Sequence, residues 1–201
     1  MGVFIRDQSK LWPNQIVPYE CTDPWALERI EDFNRQVGRT MFIPRSSNKP
    51  DFVVFALGGG SCAIGRARRR QVLHYSRNDY SIKHEMGHCL GLGHEFYHPT
   101  WPYKNRIIGC CACRTYAEMH ECMFRPIHKL DFKLARSKLA YLKIVNKDQR
   151  YEFPTHHYDA KSIMNYDPAA LGLDGISYVQ PTTLSSADVR LIRQKYPNAI
   201  P

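Results

Sequence analysis

The spacing of apolar positions changes along the chain, and each change marks an element. LWPNQIVPYE alternates through Ile16 and Tyr19 and predicts a strand interrupted by Pro18. Asp23 followed by Pro24 predicts a helix start, because Asp offers a side-chain acceptor to the first turn and Pro arrives with a helical φ. Trp25, Ile30, Phe33 and Val37 then recur at near-helical spacing, and Gly38 ends the run. MFIPR and DFVVFAL predict strands, the second apolar throughout and so expected at the centre of a sheet. Gly58-Gly59-Gly60 turns the chain; without a lysine and a following helix it is not a phosphate loop. QVLHY predicts a strand, and residues from about Asp79 to Leu90 predict a helix. Residues 99–157 carry the weakest pattern, with a basic amphipathic helix expected near 129–143 through Leu130, Leu134 and Leu142. Ser185 with Asp188 three positions on is a capping pattern for a last helix, with Val189, Ile192 and Tyr196 on one side and Pro197 as its stop.

Within the predicted helix at 79–90 lies the string His84-Glu85-Met86-Gly87-His88-Cys89-Leu90-Gly91-Leu92-Gly93-His94-Glu95. Residues four apart share a helix face, so His84 and His88 can reach one ion. Gly91 can adopt a left-handed conformation that breaks the helix and turns the chain back, bringing His94 in as a third ligand. Three imidazoles leave a coordination position open, the pattern of a catalytic zinc rather than a structural one. Zinc there lowers the pKa of water from about 15.7 toward roughly 7, and Glu85 is placed as general base. One Zn2+ per chain is expected. Cys89 is expected to be a small buried residue, His156 and His157 surface residues, and His98 not a fourth ligand.

The extended histidine string is the signature of the metzincin metallopeptidases. Ser162-Ile163-Met164-Asn165-Tyr166, seventy residues beyond His94, resembles their Met-turn. Three features are similar to the astacin family in particular: Glu95 directly after the third histidine, Tyr166 closing the turn, and the opening LWPNQIVPY, with MFIPR and GSCAIGR in step. That resemblance spans roughly residues 11–97 and 158–197. It implies an α+β, two-lobed zincin fold over a single domain, 1–201. The N-terminal lobe (1–94) would hold a twisted mixed sheet and the active-site helix. A mostly irregular C-terminal lobe (95–201) would hold the Met-turn and final helix, with a divergent insert at about 99–157. It further implies Tyr166 as an additional zinc ligand that swings away to stabilise the transition state. Glu95 would be tied to a mature N-terminus around residues 1–3, and the cleft strand before the zinc helix would pair with an extended substrate.

Several positions depart from the family. Asn165 stands where a histidine is usual, and FYHPTWPYKN replaces an arginine- and aspartate-rich stretch. Cys62 matches one member of a family disulfide, but its expected partner position is Ser76; the other bridge lacks both members, with Arg39 near one position. Seven cysteines leave at least one unpaired within the chain. Cys110, Cys111, Cys113 and Cys122 suggest disulfide stapling of the insert, with a second zinc site using His120 or His128 as the weaker reading.

With 43% hydrophobic and 23% charged residues the chain is an ordinary globular protein, and no run approaches the roughly 20 apolar residues that cross a bilayer. The net charge of +9 concentrates at Arg66, Arg68, Arg69 and Arg70. No nucleic-acid recognition pattern surrounds them, so a solvated loop or contact with a polyanion or acidic substrate is expected. The expected function is zinc-dependent endopeptidase action on protein or peptide substrates, open to a propeptide or protein inhibitor. The alternative is a catalytically silent zinc-binding module that holds a partner through the same cleft. Cysteine content favours a secreted or extracellular location. MGVFIRDQSKLW lacks the apolar core of a signal peptide, so delivery as an effector by a signal-peptide-independent system stands beside it.

Overall fold

The computed structural model describes residues 2–46, 48–105, 151–154, 156–171, 173 and 175–200. In chain order its elements are β1 (Val3–Ile5), β2 (Val17–Glu20), α1 (Pro24–Val37), β3 (Phe42–Pro44), β4 (Val53–Leu57), β5 (Gln71–Tyr75), α2 (Asp79–Cys89), β6 (Leu92–Gly93), β7 (Tyr151–Glu152) and α3 (Ser186–Lys195). The helix expected at 129–143 and the cysteines from Cys110 to Cys122 lie outside the described residues.

Strands β3, β2, β4 and β5 form a parallel sheet in that order. Its antiparallel part is a single bridge between Ser61 and His74 on the outer side of β5, so the sheet is mixed by one residue pair. Pro18 sits in an inner strand without breaking it. Val17 and Tyr19 bond toward β3, whereas pairing with β4 begins at Tyr19, after the position where the missing proline donor would be needed. A second, antiparallel sheet joins β6, β1 and β7. Apolar periodicity alone did not flag β1, because its three residues are all buried and show no alternation.

Helix α1 buries Ala26, Ile30, Phe33 and Val37. Trp25, expected on that face, is half-buried instead and stacks on Tyr75 at 6.0 Å between centroids. Asp23 caps the helix through Trp25 N, and Gly38 ends it at φ 66°. On α3 the buried face is Leu191, Ile192 and Tyr196, with Val189 only half-covered. Its capping box forms as the spacing predicts, with Ser185 Oγ accepting from Asp188 N and Asp188 answering to Ser185 N.

Helix α2 runs through the core, and every residue from Ser81 to Cys89 is buried. That burial includes Lys83, only 1% exposed, which is neutralised by Asp32 at 2.7 Å and donates to Thr182 O at 2.9 Å. A buried ammonium without such partners would cost several kcal/mol, so these contacts pin α2 to α1 and to the segment leading into α3. The carbonyls at the helix end are also satisfied: Trp12 Nε1 donates to Cys89 O at 2.8 Å and Tyr196 OH to Leu90 O at 2.9 Å. Gly91 at φ 99° then reverses the chain, and an added Cβ would meet Ile5 Cγ2 at 2.8 Å.

Candidate metal centre

The break at Gly91 does what its position in the string predicts. His84 and His88 project from α2, His94 returns from beyond β6, and one nitrogen from each lies within 4.8 Å of the others. The Nδ1 atoms of two rings are already committed. His84 Nδ1 donates to Ile163 O at 2.9 Å and His88 Nδ1 to Leu92 O at 2.8 Å. Carbonyls only accept, so both protons sit on Nδ1 and both Nε2 lone pairs are free to point inward. His84 Nε2 is buried with no partner among the described residues, and His88 Nε2 lies 2.9 Å from His94 Nε2. Converging neutral nitrogens of this kind fit a divalent ion and little else.

Glu85 lies beside this cluster, 5% exposed, with Oε2 buried and unpartnered among the described residues. Burial pushes its carboxyl up to about 8. Gly60 crosses directly above it: a Cβ there would stand 2.9 Å from Glu85 Oε1. The glycine run therefore does more than turn the chain; it lets a backbone segment approach the carboxylate. Sequence reasoning missed that role, although three successive glycines were the available signal.

Met164 packs its sulfur against α2 between the two helix histidines, where a Cβ on Gly87 would lie 2.5 Å from Sδ. The turn carrying it is held by Asp188, which accepts from Ser162 Oγ at 2.7 Å and Ile163 N at 2.9 Å. Tyr80 OH donates to Asn165 O at 2.9 Å and so ties α2 to the same turn. Tyr166 places its ring 4.5 Å from that of His94 and 5.5 Å from that of His84. Burial, reinforced by Glu85, raises its phenol above the ordinary range. His98 stays out of the cluster, with Nδ1 bonded by Thr100 Oγ1 at 2.9 Å, and His156 and His157 are exposed. A cavity of about 680 Å³ in the chain's C-terminal part has Lys161 as its only charged lining side chain among the described residues, and none of the three histidines lines it.

No family model matches the chain. Two curated relatives from Caenorhabditis elegans do: zinc metalloproteinase nas-12, 28% identical over 183 residues, and zinc metalloproteinase nas-7, 26% identical over 189 residues. These alignments cover 85% and 89% of this chain but 41% and 43% of the relatives, so the chain spans about two fifths of their length. Among solved structures, high choriolytic enzyme 1, a hatching enzyme zinc-protease from medaka (Oryzias latipes), superposes with a TM-score of 0.59 at 21% identity, covering 95% of this chain and 96% of that one. Myroilysin superposes with a TM-score of 0.53 at 20% identity, covering 94% and 86%. The fold is astacin-like.

Within this astacin-like frame Glu95 is fully buried, accepts from Asp159 N at 2.8 Å through Oε1, and keeps Oε2 unpartnered among the described residues. Met1 lies outside the described residues, so the expected tie to the N-terminus is not among the contacts. At His74 the outer edge of β5, the strand before the zinc helix, is bonded in both directions to Ser61. The basic cluster also divides: Arg66 is half-buried and paired with Asp51, leaving Arg68, Arg69 and Arg70 exposed.

The buried ionisable groups predict an acid-labile metal-free chain. Burial holds His84 down to about 3 and His88 to about 4, and His94 well below its ordinary value. Burial also raises Glu95 to about 7, as it raises Glu85. Below about pH 6.5 the unfolded chain binds protons on three histidines that the folded chain refuses, so stability falls with pH. Down to about pH 4.5 the two glutamates, protonated only in the folded state, offset part of this; below it their contribution has levelled off and the fall steepens. Above about pH 7 the same glutamates destabilise the fold as they ionise. Melting of chelator-treated protein is therefore expected to peak near neutrality and drop most steeply below about pH 4.5; a flat profile from pH 7 to 4 would refute the buried neutral triad.

Proposed function

We propose that the chain is the catalytic unit of a zinc-dependent endopeptidase. The observation that carries this reading is the convergence of three imidazoles, two of them anchored through Nδ1, beside a buried Glu85 oxygen that has no partner among the described residues. His84, His88 and His94 would hold the zinc, which supplies a Lewis acid that polarises the scissile carbonyl and acidifies water. Glu85 accepts the proton of the attacking water and returns it to the departing amine. Tyr166, beside His94 and His84, supplies a phenol hydrogen bond to the developing oxyanion and shares in holding the metal.

The substrate backbone has a ready partner. Ser61 exchanges both hydrogen bonds with His74, so by alternation the backbone groups of Gly60 and Cys62 face the other way. An extended peptide adding as a strand at this rim passes over Glu85. The substrate is thus an extended protein segment, and the basic surplus favours acidic ones. A secreted setting fits the family likeness; among the described residues no helix is long and apolar enough to cross a membrane.

The test is cleavage of an unfolded generic protein by the purified chain. Chelation is expected to abolish cutting and zinc to restore it. A chain that takes up zinc stoichiometrically yet never cuts would favour the silent binding module instead.

A further inference from the structure

The cysteine that lacks its family partner has acquired another neighbour. Cys62 lies in the rim segment and Cys89 in the last turn of α2, and one side chain brings their sulfurs to the same place. The amide of Gln71 touches both, with Nε2 at 3.8 Å from Cys62 Sγ and 3.9 Å from Cys89 Sγ. Cys89 is fully buried, whereas Cys62 is partly open to solvent. Two anchors bracket Cys62: the paired bonds between Ser61 and His74, and Gly65 N donating to His88 O at 2.8 Å. The rim between them is short, and with both sulfurs against one amide nitrogen, reaching the bond length of about 2.05 Å asks for a local shift of that segment.

We propose that Cys62 and Cys89 form a disulfide that staples the rim over Glu85 to the C-terminal turn of the metal-binding helix. The bond replaces the one that Ser76 makes unattainable, and it does not depend on the chain being a peptidase. The electron acceptor is a small-molecule or protein disulfide, such as oxidised glutathione. The accessible Cys62 sulfur attacks one acceptor sulfur, giving a mixed disulfide and releasing the first thiol. The Cys89 sulfur then attacks Cys62 Sγ and displaces the second. Two S–H bonds are lost and one S–S bond is gained, while the acceptor takes two electrons and two protons to become two thiols. Exposure decides the order, because only Cys62 can meet the oxidant from solvent.

The test equilibrates the folded chain with oxidised and reduced glutathione, blocks free thiols, and maps the digested peptides without reduction. A linked pair of peptides containing Cys62 and Cys89 is expected, together with a Tm roughly 5–10 °C above that of the reduced protein. Cys62→Ser, which keeps a partner for the Gln71 amide, is expected to lose the redox-dependent part of the shift assigned to this bond and to leave Cys89 blocked as a free thiol. Recovery of both residues as free thiols under oxidising poise would overturn the proposal. So would Cys62 linked to any of Cys110, Cys111, Cys113 or Cys122, or a Cys62→Ser chain whose Tm responds to oxidant as fully as the parent does.

Discussion

Replacing Glu85 by Gln is expected to lower peptide turnover by about 10³-fold while zinc uptake is unchanged. Gln has almost the same shape, so the buried slot beneath Gly60 stays filled and the fold is preserved. What disappears is the ability to take a proton from water and hand it on, the task proposed for Glu85. Binding to the three imidazoles does not pass through Glu85, and so zinc content and hydrolysis should separate cleanly. The measurement is kcat/KM on a fluorogenic peptide beside zinc per chain by elemental analysis. Loss of both together would place Glu85 among the groups that build the metal site. Undiminished turnover would remove it from the chemistry. Glu85→Asp should also be slow, since shortening the side chain draws the carboxylate back from the rim.

The histidine cluster was legible because it is encoded locally. The four-residue step from His84 to His88 places both on one helix face. Gly91 permits the φ of 99° that brings His94 back, and that glycine stands where the sequence pattern puts it. The caps at Asp23 and Ser185 were legible for the same reason, as each acts within a turn of its own position. What stayed hidden rests on contacts between distant positions. Strand β1 is too short for a period, and only its pairing with β6 and β7 reveals it. Cys62 could be recognised as unpartnered in the family sense, yet nothing in the spacing of 62 and 89 signals that Gln71 would gather both sulfurs. The bridge from Ser61 to His74 was hidden as well, because a single bridged residue pair leaves no alternation to read. Arg66 looked like part of a uniform basic loop, and its pairing with Asp51 depends on how β4 and that loop meet.

Asp188 shows how far a local signal can underreport a residue. Its spacing from Ser185 identifies a helix cap, worth about 1 kcal/mol. The structure gives the same carboxylate a second duty, since Ser162 Oγ and Ile163 N also donate to it in a fully buried setting. Burial raises its pKa while those donors pull it down, which is the balance of a carboxylate held by its neighbours. Asp188→Ala would strand these donors and Ser185 N together, at a cost on the order of 3–5 kcal/mol, or a drop in Tm of roughly 10 °C. The consequence reaches the metal through one further bond. Ile163 O orients His84 through Nδ1, so a loosened turn should weaken zinc binding by about 10–100-fold. The two effects can be read apart: calorimetric melting of the metal-free chains reports the first, and competition with a chelating dye well below both melting temperatures reports the second. Asp188→Asn retains one acceptor oxygen and should fall between parent and Ala in both measurements. If Asp188→Ala melted lower yet bound zinc as tightly as the parent, the turn would be a stabilising brace alone, and the orientation of His84 would have to come from the packing of Tyr80 and Met164 around α2.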